Sequence, residues 1–101
     1  MKYFFDKGRL SINLNEELDM NVCKSLRGII DGYIIKFQPS ECVIDLKDVS
    51  FMDSSGIGLI IGRYNLLKLM DSRLVILNAT GSIKRMIELS NISNDIILRG
   101  V

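Results

Sequence analysis

The residue types most suited to chemistry stand together at Asp53, Ser54 and Ser55, between an apolar strand-like run and an apolar helical pattern. Asp and Ser are preferred caps of helices, because their side-chain oxygens accept the amide protons of the first turn. Residue type alone therefore favours a helix cap. One aspartate and two serines nevertheless offer more capping oxygens than one helix start requires, which leaves a hydroxyl free.

A free serine hydroxyl at a helix start can carry a phosphate group, which adds roughly −1.5 to −2 charges at neutral pH. Exposed amides of the helix start and the helix dipole would favour such a group. The neighbouring carboxylate of Asp53 would repel it. The hinge can therefore be a site that another enzyme modifies.

Glycines follow the serines at Gly56, Gly58 and Gly62. A glycine-rich turn between a strand and a helix is typical of dinucleotide-binding loops, but those have the spacing Gly-x-Gly-x-x-Gly. About 20 residues on, where such loops have an acid for the ribose, this chain has Leu77 and Asn78. Packing of the helix on the sheet is the favoured reason for the glycines. Nucleotide binding stays open as an alternative, and no cofactor is predicted.

Composition excludes several classes of function. The chain has no histidine, which excludes a Ser-His-Asp triad, a Cys-His pair and a histidine metal site. We predict no catalytic residue and no metal ligand. With 13 basic and 12 acidic residues the net charge is +1, so nothing in the charge favours direct binding to nucleic acid or to an anionic membrane.

The cysteines and the apolar runs indicate the compartment. Cys23 and Cys42 lie within apolar patterns and predict reduced core residues. The N-terminus reaches Asp6 too early for the apolar core of a signal peptide, and no apolar run is long enough to span a membrane. The sequence therefore predicts one soluble, cytoplasmic domain over residues 1–101.

Hydrophobic periodicity predicts an α/β fold. Leu10, Ile12 and Leu14 alternate with polar residues as in a half-buried strand, and a helix capped by Asp19 or Asn21 follows. The predicted elements are strands at 2–5 and 9–14, a helix with a buried stripe at Val22, Leu26, Ile29, Ile30, Tyr33, Ile34 and Phe37, strand 42–46, a helix over 57–70, strand 74–77, a helix with Ile83, Met86, Ile87 and Leu89 inward, and strand 96–98. This order implies a mixed sheet, with a leading hairpin followed by alternating helices and strands in right-handed crossovers.

Basic side chains could form a binding patch, but solvated helix faces are the favoured interpretation. Arg63 and Lys68 are expected opposite the apolar stripe of their helix. The residues of this set are Arg63, Lys68, Arg73, Lys84 and Arg85.

The stretch from Phe51 to Tyr64 (FMDSSGIGLIIGRY) resembles the signature of the STAS domains, and more narrowly that of anti-sigma factor antagonists of the SpoIIAA type, which act in sporulation. Glu17-Leu18-Asp19 is similar to the family's Gly-Glu-Leu-Asp loop, and residues 43–51 and 82–90 also agree, so the resemblance covers nearly the whole chain. It implies a single STAS domain. Because the chain stops at Val101, the family's final helix is expected to be missing or truncated.

The resemblance also implies a partner-switching regulator and not an enzyme. In this family the unphosphorylated antagonist binds an anti-sigma factor that is also a serine kinase, and the sigma factor is released. The kinase phosphorylates the serine immediately before the glycine, which by position is Ser55, and a serine phosphatase reverses the step. The implied partner-binding residues are Asp19, Asp53, Ser54, Ser55, Gly56 and Ile57. A scaffold STAS module without a dedicated kinase stays open as an alternative.

Overall fold

The computed structural model of the chain describes residues 1–90 and 96–100. Within these residues the elements are β1 (Lys2–Asp6), β2 (Arg9–Asn13), α1 (Met20–Phe37), β3 (Glu41–Asp45), α2 (Ser54–Leu69), β4 (Arg73–Leu77), α3 (Gly81–Glu88) and β5 (Ile97–Arg99). The α/β class and the element order predicted from the sequence are confirmed. No helix among the described residues is long and apolar enough to cross a membrane.

The strands form one mixed sheet in the order β1-β2-β3-β4-β5. β1 and β2 are antiparallel, and the turn between them has positive φ angles at Lys7 and Gly8, the backbone twist that a tight hairpin favours. The remaining pairs are parallel, and each connection moves over by one strand. Right-handed crossovers of this kind place successive helices on the same face of the sheet.

The core lies between that face and the helices. The predicted alternation in β2 is confirmed, because Leu10 and Ile12 are buried and pack with residues of all three helices in one hydrophobic cluster. At the hairpin edge, the ring of Tyr3 stacks on that of Tyr33 with centroids 4.1 Å apart, and Phe5 stacks on Phe37 at 4.7 Å. These stacks hold α1 on β1.

Some side chains lie where the sequence did not predict them. Arg63 is only 4% exposed and not on a solvated face, because it forms an ion pair with Asp31 of α1. Two residues that were predicted to face inward are exposed. Ile29 lies beside the buried stripe of α1, and Leu89 follows the end of α3. The other four basic residues of the set are exposed, as predicted.

Candidate functional site

The loops that precede α1 and α2 are held side by side. They follow β2 and β3, and the carboxyl ends of adjacent parallel strands meet at one edge of a sheet. A β-bridge joins Leu18 to Met52 beyond the strands. The amide of Leu18 donates to the carbonyl of Phe51 at 2.9 Å, and the amide of Asp53 donates to the carbonyl of Leu18 at 3.3 Å. The bridge brings Asp19 and Asp53, the residues at which the two helices begin, to the same edge.

Both aspartates cap their helices. Asp19 Oδ1 accepts a hydrogen bond from the amide of Val22 at 2.9 Å, and Asp53 Oδ1 accepts one from the amide of Ser55 at 2.7 Å. Of the two caps proposed for α1, the structure selects Asp19. In α2 the capping role belongs to Asp53. Neither serine hydroxyl forms a hydrogen bond with the part of the chain that the structure describes, so both are spare. The number of capping oxygens in the sequence predicted one spare hydroxyl.

The backbone amides at the start of α2 are less open than the sequence suggested. The amide of Ser55 is bonded to the Asp53 carboxylate, and the amide of Gly56 donates to the Asp53 carbonyl at 3.0 Å. A phosphate group on the Ser55 hydroxyl would therefore find these two donors already engaged. The expectation that exposed amides would receive the phosphate is wrong for this pair.

Gly56 has a packing role. A Cβ atom at this position would overlap Met52 Cγ, lie 2.6 Å from Met52 Sδ and approach Leu18 Cβ to 3.3 Å. The first turn of α2 thus rests directly on the two residues of the bridge. At Gly58 the same test finds open space. Because Gly56 is buried, it supports the surface around the serines from beneath, while Ile57 beside it is half-buried.

The two serines have different surroundings. Ser54 is exposed, whereas Ser55 is half-buried and lines a groove of about 320 Å³ between the first turns of α1 and α2. The remaining residues of the groove are Met20, Cys23, Lys24, Arg27, Gly58 and Leu59. Nothing in the sequence pattern connects Lys24 or Arg27 with the serines. Their spacing of three residues on α1, in the turns that follow Asp19, was the only available signal.

Charge and apolar surface meet at this edge. Burial raises the pKa of the Cys23 thiol, and the carboxylates of Asp53 and Asp19 raise it further, so both negative charges act on the same point between the helices. Met20 and Phe51 add exposed apolar area, with 69% and 47% of their surface accessible. We call the solvent-accessible part of this edge the helix-start surface. It comprises the exposed or half-buried residues Asp19, Met20, Phe51, Asp53, Ser54 and Ser55.

No cofactor cradle stands out at this edge. In residues 1–90 and 96–100, no three acidic or cysteine side chains are grouped so that they could hold a metal ion. The first glycine of the suspected nucleotide loop faces Met52 and Leu18. What the arrangement offers is a spare hydroxyl on a rigid support, surrounded by charged and apolar side chains.

Known proteins match this chain over most of its length. Residues 5–100 match the family model described as the STAS domain. An anti-sigma F factor antagonist of Paenibacillus polymyxa is 31% identical over 86 residues, which cover 85% of this chain and 74% of that protein.

Two solved structures share the fold. The unphosphorylated form of the anti-sigma factor antagonist SpoIIAA has a TM-score of 0.82 and 24% identity, and the match covers 97% of this chain and 86% of that one. The phosphorylated form of the Bacillus cell fate determinant SpoIIAA has a TM-score of 0.77, also at 24% identity, with 97% and 89% covered. At this identity the likeness concerns the fold.

Proposed function

The chain belongs to the STAS domain family, and from that premise we propose that it is an anti-sigma factor antagonist switched off by phosphorylation of Ser55. In the unphosphorylated form it binds an anti-sigma factor that is also a serine kinase, and so frees the sigma factor. A serine phosphatase restores the active form. The observation that carries the proposal is the spare hydroxyl of Ser55 at the capped start of α2, beside the loop of Asp19.

The helix-start surface has the composition of a protein-binding surface. Exposed Met20 and Phe51 supply apolar contact area, and Met, aromatic and Arg residues are enriched where proteins bind each other. The capping bonds of Asp19 and Asp53 both use Oδ1, which fixes the direction of each carboxylate. Carboxylates held in this way can pair with cationic side chains of a partner.

Phosphorylation changes the charge of this surface. The kinase transfers the γ-phosphoryl group of ATP to Ser55 Oγ, ADP leaves, and the hydroxyl proton passes to a base on the kinase. The modified serine then carries roughly −1.5 to −2 charges at neutral pH, next to the carboxylate of Asp53. Added bulk and like-charge repulsion would weaken the fit to a partner that binds the unmodified surface.

The site assignment is tested with the anti-sigma factor kinase encoded in the same genome. The purified chain and its Ser55→Ala and Ser54→Ala variants are incubated with this kinase and ATP, and the phosphate is mapped by mass spectrometry. We expect incorporation in the parent and in Ser54→Ala, and none in Ser55→Ala. Full incorporation in Ser55→Ala, or none in the parent, would contradict the assignment.

The switch is tested by calorimetry with the same kinase. Ser55→Asp places a charge in the hinge and should weaken binding about 10-fold or more, the equivalent of roughly 1.4 kcal/mol. Asn65→Asp is the matched control, because Asn65 is exposed on α2 about 15 Å further along the helix and the substitution also adds one charge. Equal affinities for Ser55→Asp and Asn65→Asp would count against a switch at Ser55.

A further inference from the structure

The groove beside Ser55 contains two cations without a counterion. Lys24 and Arg27 lie three residues apart on α1, which puts them on neighbouring positions of one helix face, and both line the groove with Ser55. None of the residues that line it is acidic. Neither cation takes part in an ion pair with residues 1–90 or 96–100. The side chains that line the groove thus include two cations and a serine, while the carboxylates of Asp19 and Asp53 act on it from outside the lining, at Cys23.

The positive charge of Arg27 also acts on a neighbouring arginine. Burial lowers the pKa of Arg63, the carboxylate of Asp31 opposes this, and the positive charge of Arg27 lowers the pKa further. Asp31 forms its ion pair with Arg63, so no ion pair among the described residues balances the charge of Arg27.

Two amides at the start of α2 are not open to a phosphate group on Ser55. Asp53 already occupies the amides of Ser55 and Gly56, and its carboxylate would repel the phosphate. The dipole of α2 alone favours a phosphate group only modestly at a surface site. Side chains across the groove can supply further donors, and Lys and Arg are the side chains that bind phosphate oxygens best.

We propose that Lys24 and Arg27 clamp the phosphate of phosphorylated Ser55. Their ammonium and guanidinium groups donate to the phosphate oxygens, so the modification links α1 to the start of α2 within the chain. The clamp offsets the repulsion from Asp53 and removes two free positive charges from the edge that a partner meets. This inference rests on the modification of Ser55 put forward under the proposed function.

The test places phosphoserine at position 55 during synthesis by genetic code expansion, so no kinase is needed. The second ionisation of the phosphate, with an ordinary pKa of about 6, is followed by phosphorus NMR. Nearby cations favour the dianion, so we expect this pKa to be lower by about half a unit than in Lys24→Gln/Arg27→Gln. The difference should shrink in 1 M salt, where the screening length falls to about 3 Å.

Two controls separate the clamp from general effects. Lys84→Gln/Arg85→Gln removes the same charges from the exposed face of α3 and should keep the lowered pKa. Phosphoserine at the exposed position 54 should respond much less to Lys24→Gln/Arg27→Gln. Because Lys24 and Arg27 are exposed, their substitution should leave the fold intact, which circular dichroism checks.

The clamp is overturned if the phosphate at position 55 titrates identically with and without Lys24 and Arg27, or if the α3 control produces the same change. Single substitutions Lys24→Gln and Arg27→Gln give a second measurement should the double variant unfold, and each is expected to move the pKa part of the way. If the kinase fails to modify the chain, the proposed function fails while the NMR result still decides the clamp.

Discussion

The Nε atom of Arg63 lies 2.7 Å from Oδ1 of Asp31, and this ion pair joins α2 to α1 beneath the surface. The Nη2 atom donates a hydrogen bond to Oδ2 at 3.3 Å, whereas the closer Nε contact is not aligned as a hydrogen bond and attracts by charge alone. The Arg63 side chain is 5% exposed and that of Asp31 31%. The pair therefore fixes the two helices whose first turns form the helix-start surface.

The unequal burial of this pair predicts unequal costs of removing its members. Asp31→Leu leaves the buried Arg63 charge without a partner and should lower the free energy of unfolding by about 2–4 kcal/mol, reduced from the cost at fully buried pairs because Asp31 is partly hydrated. Arg63→Met leaves only the hydrated Asp31 and should cost less. The double variant should recover most of the loss. Urea unfolding measures all three, and a smaller cost for Asp31→Leu than for Arg63→Met would contradict the interpretation.

The contact beneath Gly56 predicts opposite effects of the same substitution at two neighbouring glycines. Gly56→Ala forces a methyl group against Met52 and Leu18 and should destabilise the protein by about 1–3 kcal/mol. The methyl group of Gly58→Ala meets nothing within 4 Å. Because alanine favours the helix more than glycine does, this variant should stabilise the protein by up to about 1 kcal/mol. Thermal unfolding of both variants checks the contrast. Equal shifts in the midpoint would show that the first turn of α2 is not held on the bridge.

The capping bond of Asp53 allows its structural role to be separated from its charge. Asn caps helices about as well as Asp, so Asp53→Asn should change stability by less than about 0.5 kcal/mol, whereas Asp53→Ala should cost about 1 kcal/mol. Urea unfolding gives these values. If the carboxylate contributes to partner binding, calorimetry with the anti-sigma factor kinase should show weaker binding for Asp53→Asn despite its retained stability. Full affinity in Asp53→Asn would show that the charge of Asp53 does not contribute to partner binding.

The buried thiol of Cys42 should make the protein less stable at alkaline pH. Burial, with a further contribution from Glu41, raises its pKa from the ordinary 9.0 to about 12. Between these two pH values the thiol stays protonated in the folded state but ionises in the unfolded chain. The contribution of the thiol to the free energy of unfolding is therefore complete below pH 9 and declines as the pH rises towards 12. At about pH 10.5 the loss from this thiol should be about 2 kcal/mol.

Urea unfolding at two pH values tests the Cys42 prediction. Because other groups titrate in the same range, the measured quantity is the difference between the parent and Cys42→Val, which fills the core position without a thiol. The parent should lose more stability than Cys42→Val between pH 8 and pH 10.5. Parallel losses in the two proteins would show that the thiol ionises as readily in the folded state as in the unfolded chain.

Local patterns predicted the fold well, because strand alternation, capping residues and turn glycines act over a few positions. Leu10 and Ile12 in β2 and the cap at Asp19 are examples. Arg63 was assigned to a solvated face because helical periodicity treats a charge as outward-facing, and its partner Asp31 lies 32 residues earlier in the chain. An ion pair between two helices does not change the hydrophobic periodicity of either helix.

The candidate site was predictable in its centre and not in its surroundings. Residue types located the spare hydroxyl, and resemblance to a family chose Ser55 over Ser54. The cations of the groove could not be predicted, because Lys24 and Arg27 precede Ser55 by about half a helix, a loop and a strand. Only the packing of α1 on α2 brings them together. Their meeting is a property of the tertiary structure.

The bridge between Leu18 and Met52 makes the helix-start surface a discontinuous epitope. A peptide spanning the serine hinge would carry Ser55 but would lack the loop of Asp19 and the bridge that holds the two loops together. A partner that binds both loops therefore recognises only the folded chain. Its binding reports the integrity of the domain as well as the state of one hydroxyl.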